Sequence, residues 1–442
     1  MMNQLKETTK KERFSYFSYF LGQNILFILV SMYAMLFFTD YVGVSPAIVG
    51  VIFVIARVWD AVNDPLFGII VDKSNPKKGK YKSWTSFAAI LLPVLIVLMF
   101  WVPNISMAGK IVYVSVIYIM WGMAYTISDV PAFSLTTAMT NNMEERNSLL
   151  SVSRLFPIIG GLLVSMTIIA LTNAIGWTAG VAIVALISAI LMNFMRFNVK
   201  ERHIAPNTGV SIKKMIGYVL GNKYLLIYYA AFTVYSACNT GIFVNNYFAI
   251  YNLGSANYIA ILSIINTVPM VIVALLASRL CAKFGKYKVT VTVCLLMIVT
   301  AILYFLVGYQ SLPVVFCFSF INSSLTGFMA VMYPMFTSDC IEYGMWKSGE
   351  RATGISFSIQ TFTTKLGQAL ASGIVGVLLS VIGYTANTAQ NEATLKGIFI
   401  ILTLVPGLGA LLMLIIFGLF YKLRESDVEK YIKENASKEI AA

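Results

Sequence analysis

The chain of 442 residues is 58% hydrophobic, 13% aromatic and only 12% charged, with a mean hydropathy of +0.79, which excludes a soluble globular domain and points to a lipid bilayer. Its formal net charge of +13 raises nucleic acid as a partner, but that role needs a folded soluble domain or a long basic arm, and neither is read here. The single histidine, His203, lies between apolar runs, so histidine-based catalysis or metal binding inside the membrane is excluded.

The opening MMNQLKETTKKER is polar and basic, and the apolar run behind it is too long for the core of a cleavable signal, so the first helix is expected to stay. Apolar runs able to cross a bilayer, about 20 residues each, are predicted over 14–38, 46–71, 84–102, 111–138, 149–172, 177–197, 224–251, 257–279, 289–308, 313–338, 352–383 and 395–421. A backbone crossing lipid must satisfy its own hydrogen bonds, so segments of this length are helices; barrel strands would be about half as long. Lysine and arginine crowd the segments on the amino-terminal side, whereas the opposite loops hold only Lys110 and Lys396. That asymmetry puts both termini in the cytoplasm of a multi-pass cell-membrane protein.

Six charges fall well inside these spans: Arg57, Asp60 and Asp64 on span 2, Asp129 on span 4, Arg154 on span 5 and Lys365 on span 11. An unpaired charge at mid-bilayer costs about 2.5–3.5 kcal/mol on insertion scales, so such groups face water or one another. In RVWDAVNDPLFG, Arg57, Asp60, Asp64 and Gly68 are three and four residues apart and form one stripe. Two carboxylates one turn apart raise the proton affinity of one, or make a place for a small hard cation among oxygens. Asn63 offers an amide oxygen, and Thr126 a hydroxyl if spans 2 and 4 pack together. The alternative is that Arg57 neutralises the acids to fold the bundle, but the second acid leaves a surplus negative charge that a monovalent ion would balance. Asp72 and the lysines after it suit a gate-closing contact at the cytoplasmic end.

On span 4, Tyr118, Trp121, Tyr125 and Asp129 again follow the helical spacing. Aromatic faces beside a carboxylate suit a sugar, whose C–H face stacks while its hydroxyls donate to the acid; the alternative is an aromatic packing stripe. Pro131 frees a backbone carbonyl just beyond the acid. Arg154 and Lys365 are expected to bind substrate oxygens, pair with Asp129 or relay movement, and the residues do not choose. Gln23 and Asn24 on span 1, and Tyr235 and Asn239 on span 7, are lesser polar candidates, read first as helix-packing contacts. The five cysteines show no metal or disulfide spacing and read as packing residues.

Gly79-Lys80-Tyr81-Lys82 after span 2 recurs as Gly285-Lys286-Tyr287-Lys288 after span 8, and Glu145-Arg146 after span 4 recurs as Glu350-Arg351 after span 10. Two matches at nearly the same offset divide the chain into halves of six helices. The expected organisation is an amino-terminal bundle 1–198, a cytoplasmic linker 199–222, a carboxy-terminal bundle 223–421 and a tail 422–442. Six is even, so the halves are parallel repeats, the major-facilitator arrangement of an all-α membrane protein with twelve transmembrane helices, in which substrate binds near the midplane between the bundles and access alternates.

RVWDAVNDPLFG with its basic loop, WGMAYTISDVP of span 4 and GERATGISFSIQTFTTK entering span 11 resemble the glycoside-pentoside-hexuronide:cation symporters, over nearly the whole chain. The resemblance implies sugar uptake driven by Na+ or H+, with no cofactor beyond the coupling ion and a functional monomer. It makes Asp60, Asp64, Asn63 and Thr126 the cation ligands, with Na+ as the metal if coupling is to sodium. It makes Tyr125, Asp129 and Arg154 contact the sugar with Lys365 near both sites; Asn24, Trp121 and Phe133 are further substrate candidates, and Arg57, Asp72, Arg146 and Arg351 are candidates for a gating or charge network. Asn24 stands where the melibiose carrier of this family has an aspartate, and Phe133 where it has a tryptophan, which puts a galactoside preference in doubt and suits an anionic sugar such as a hexuronide. Two rival functions fit less well. An intramembrane aspartyl protease needs its acids on different helices and a GxGD-type motif, which is absent; a carrier of lysolipid or another non-sugar cargo needs fewer polar groups than six charges and the span 4 stripe supply.

Overall fold

A computed structural model describes residues 7–74, 76, 79–153, 155–203, 217–218, 220–349 and 353–441. All regular structure among them is helical, and nine of the described helices are long and apolar enough to cross a membrane. The chain divides into two compact units, Met1–Gly209 and Val210–Ala442.

In the first unit the spans are Lys10–Leu36, Pro46–Lys73, Lys80–Met99, Met107–Met139, Phe156–Ile175 and Trp177–Asn198. Span 5 is preceded by a separate helix, Met143–Ser153, and restarts with Pro157 in its first turn, where a missing N–H costs nothing. The run predicted as 149–172 falls within one apolar stretch, Ser148–Ile175, long enough to cross a membrane. Small residues let the spans approach: a Cβ added to Gly22 of span 1 would lie 2.7 Å from the Ser188 carbonyl oxygen of span 6.

In the second unit the spans are Asn257–Phe284, Lys286–Val307, Leu312–Ser348, Thr353–Val381 and Glu392–Phe420, with span 7 in pieces. It was expected as one helix over 224–251. Instead Lys223–Ala237 ends, and Gly241–Tyr247 begins after a short break. In the break the Thr240 hydroxyl donates to the Ile401 carbonyl oxygen at 2.5 Å, and the Thr240 amide donates to Cys238 O at 2.8 Å rather than to a helical partner. The segment 422–442, expected only as a tail, holds a helix, Glu425–Ala441. It docks on the end of span 10, where Trp346 Nε1 donates to Glu434 at 2.6 Å and Asn435 Nδ2 donates to the Glu342 carbonyl at 3.1 Å.

The two units repeat details beyond the sequence matches. Span 1 ends in a π turn, Phe37–Tyr41, closed by Val42 N donating to Phe37 O at 3.0 Å, and span 7 ends in another, Phe248–Asn252, closed by Leu253 N donating to Phe248 O at 3.0 Å. Each is followed by a glycine at positive φ, Gly43 at 83° and Gly254 at 76°. The recurring GKYK also has a structural reason. Gly79 and Gly285 turn the chain into spans 3 and 9, and the exposed amides there are capped by a carboxylate from the segment after the sixth span of the same unit. Glu201 accepts from Lys80 N at 2.8 Å and Lys82 N at 2.6 Å, and Glu425 accepts from Tyr287 N at 2.9 Å.

The end of the first unit that carries the amino terminus is tied by Glu145. Its carboxylate accepts from Thr8 N (3.2 Å), the Thr8 hydroxyl, Glu7 N (3.1 Å), Arg13 (2.7 Å) and the Thr140 hydroxyl (2.9 Å). Burial pushes the Glu145 carboxyl up, but these donors together hold it below its ordinary 4.5. A depressed carboxylate stabilises the fold above that ordinary value and stops doing so as the pH falls through the folded one. Glu145→Gln is expected to cost about 1–3 kcal/mol at neutral pH in a detergent thermal melt. The gap to the parent should close below pH 4.5; a constant gap would contradict this account.

Candidate functional site

Span 2 runs unbroken through its charges because they share a face and find partners on it or on span 4. Arg57 donates to Asp60 Oδ2 at 3.0 Å, and Asp60 is only 4% exposed. One turn on, Asp64 Oδ1 accepts from the Thr126 hydroxyl of span 4 at 2.6 Å, which also lies 3.3 Å from the Gly122 carbonyl oxygen. Between these, Gly122 faces Asp60: a Cβ built on it would sit 2.9 Å from Asp60 Oδ1. Asn63 is beside them, its buried Nδ2 without a hydrogen-bond partner among the described residues. With all three groups ionised, Arg57, Asp60 and Asp64 sum to one negative charge, in a setting where screening is weak.

Three residues past Thr126, Asp129 starts a second polar cluster, against span 1. Gln23 Nε2 donates to Asp129 Oδ1 at 3.2 Å, and the Tyr19 hydroxyl and Ser128 Oγ are 2.6 Å apart. The aromatic stripe packs in a column: Trp121 and Tyr125 stack at 5.6 Å and 26°, and Phe27 covers Tyr125 at 4.8 Å. Trp121 is 1% exposed, and its Nε1 has no partner among the described residues. In this arrangement the indole braces Tyr125, while Tyr125 and Asp129 remain partly exposed.

The family model described as MFS/sugar transport protein matches residues 15–425. The chain belongs to that family. This MFS/sugar transport protein family member is similar to the inner membrane symporter YicJ of Escherichia coli, 30% identical over 441 residues that cover 96% of this chain and 95% of the relative. It is equally similar to the isoprimeverose transporter of Lactiplantibacillus pentosus, 30% identical over 449 residues, covering 96% and 92%. Among solved structures, the nucleoside transporter NupG superposes with a TM-score of 0.72 at 13% identity, covering 94% of this chain and 100% of that one. The D-xylose-proton symporter does so with 0.65 at 15%, covering 91% and 96%. At such identities these two show the fold, that of major-facilitator transporters with twelve helices. The family member is thus a multi-pass membrane transporter and not an enzyme.

The other expected residues of this transporter are placed as follows. Asn24 Nδ2 donates to the Phe20 carbonyl at 2.8 Å, and its backbone meets Gly160 of span 5, so the residue is held inside the bundle. Phe133 is 39% exposed, its ring 5.0 Å from Phe20. Arg146 donates to the Thr140 carbonyl at 3.1 Å. Lys365 is partly exposed on span 11 of the second unit, where the Thr361 and Thr364 hydroxyls turn back to Phe357 O and Gln360 O. The Asp72 side chain, Arg154 and Arg351 lie outside the described residues. Gly122, Tyr19 and Ser128 were not foreseen. Gln23 was, but as a packing residue rather than the partner of Asp129; the four-residue spacing of Tyr19 and Gln23 was the available sign.

Proposed function

We propose that the protein is a secondary active transporter that imports a sugar, a glycoside, pentoside or hexuronide, by symport with Na+ or H+ through alternating access. The observation that carries this reading is the pair of span 2 carboxylates, Asp60 against Gly122 and Asp64 against Thr126, with Arg57 bonded to Asp60. A monovalent cation removes the surplus charge; Asp60, Asp64 and the Thr126 hydroxyl supply oxygens, and rotating the Asn63 amide about its last bond supplies another. The similarity to a symporter and to an isoprimeverose transporter supports the reading.

Coupling follows from span 4 being shared. Thr126 belongs to the ion cluster, whereas Tyr125 and Asp129 flank it on the same helix. Ordering Thr126 around an ion fixes the turn that presents the tyrosine ring and the carboxylate to a sugar. By linkage the sugar then raises ion affinity by the same factor. Asp129 accepts from sugar hydroxyls, Gln23 donates to a ring or hydroxyl oxygen, and the Tyr125 face packs on C–H groups.

Uptake of radiolabelled glycosides, pentoses and uronides into proteoliposomes, under separately imposed sodium and pH gradients, tests this. One sugar class accumulates under at least one of the gradients. Uptake of lysolipid in place of every sugar, or sugar equilibration indifferent to both gradients, would contradict the proposal.

A further inference from the structure

We infer that the exposed side of span 6 holds a binding site for one anionic phospholipid, with an acyl chain in a groove and the phosphodiester against Asn193 and Arg196. None of its residues belongs to the ion or sugar clusters.

The groove runs along the last turns of span 6. It is lined by Ala189, Ile190, Asn193, Phe194 and Phe197, and its volume is about 330 Å³. These positions follow the helical spacing and so share one face. On the side of span 1 the wall is continued by Phe14, whose ring lies 6.2 Å from that of Phe194. Phe14 and Phe197 are 61% and 74% exposed, as suits rings that meet lipid.

Asn193 is the exception on this apolar face. Its Nδ2 donates to the Ala189 carbonyl oxygen at 2.8 Å, which leaves the second N–H and the amide oxygen for a partner outside the helix. Asn193 precedes the end of the span at Asn198 by five residues, about 8 Å along the axis. That distance is close to the thickness of one headgroup layer, about 5–8 Å, so the amide sits where phosphate and ester oxygens give way to hydrocarbon.

The charge beside the groove selects the head. Arg196 lies 5.7 Å from the centre of the Phe197 ring, at the mouth of the groove. Lys10, Lys11 and Lys200 are exposed at the same end of the unit. The acids there are already engaged: Glu12 by Arg202 at 2.8 Å, Glu145 by Arg13 at 2.7 Å, Glu7 by His203 at 2.8 Å, and Glu201 by the span 3 amides. Among the described residues, none of the four bases forms an ion pair. Surplus positive charge above an apolar groove complements a phosphate carried on acyl chains. Bulk lipid is as apolar as the groove, so the groove fixes the position and the charges set the preference.

Native mass spectrometry of the purified protein tests this. The probes are phosphatidylglycerol and phosphatidylethanolamine with matched chains, and glycerol 3-phosphate as the head alone. The parent protein binds phosphatidylglycerol more tightly than phosphatidylethanolamine by about fivefold or more, the worth of one basic residue beside an anionic head, and excess glycerol 3-phosphate does not displace it. Arg196→Gln weakens phosphatidylglycerol by about fivefold and narrows the gap between the two lipids. Ala189→Phe fills the groove and lowers the affinity for both lipids by the same factor. Lys110→Gln, which removes a charge from an opposite loop, changes neither. Equal binding of the two lipids by the parent, displacement by glycerol 3-phosphate, or Arg196→Gln and Lys110→Gln acting alike would overturn the inference, as would Ala189→Phe binding both lipids like the parent. Should Ala189→Phe not insert, the other arms decide.

Discussion

Asp64→Asn is expected to abolish gradient-driven accumulation while the protein remains folded in the membrane. The substitution removes one negative charge but keeps an oxygen that accepts from Thr126, so the contact at 2.6 Å survives. What is lost is the surplus charge that attracts the ion. Each positive charge entering is worth about 2.3 kcal/mol per 100 mV, or about fiftyfold accumulation at that potential, so the ratio of internal to external sugar should fall to about one. Asp60→Asn should lose accumulation too, but with a second cost. Asp60 is buried against Arg57 at 3.0 Å, and removing one partner of a buried pair costs about 3–5 kcal/mol. The two variants are therefore told apart by a thermal melt: Asp64→Asn stays near the parent, and Asp60→Asn melts well below it. Uphill uptake surviving in both would remove the ion-site assignment.

Asp129→Asn should act on the sugar instead. A hydrogen bond to a charged group contributes about 1.5–3 kcal/mol, so losing the charge should weaken sugar binding about tenfold to 150-fold. The amide can still accept from Gln23, whose contact with the carboxylate is 3.2 Å, so insertion and ion binding should hold. Isothermal binding of the transported sugar, with ion titration as the control, checks this. Unchanged sugar affinity would place the sugar away from span 4.

The span 2 cluster was readable because its chemistry follows periodicity. Arg57, Asp60 and Asp64 lie three and four apart in an apolar run, which fixes their common face, and a single assumption, that spans 2 and 4 touch, brought Thr126 to Asp64. Gly122 was not readable, since a residue without a side chain leaves no periodic mark and matters only through the space it keeps beside Asp60. The break in span 7 was hidden for another reason: no proline marks it, and it depends on the Thr240 hydroxyl reaching Ile401, far along the chain. The helix Glu425–Ala441 carries no long apolar run. It is held by Tyr431 and Asn435 against span 10, contacts that hydropathy does not weigh. Trp121 shows the limit of the stripe argument, because equal spacing places residues on one face without saying which of them is covered by Phe27 and Tyr118.

The most direct measurement is the charge moved when sugar is added to proteoliposomes on a solid-supported membrane, with Na+ and pH set independently on each side. The account predicts an inward positive current that needs sugar and the coupling cation together and vanishes in Asp64→Asn. Sugar entry without charge movement, or an undiminished current in that variant, would contradict it.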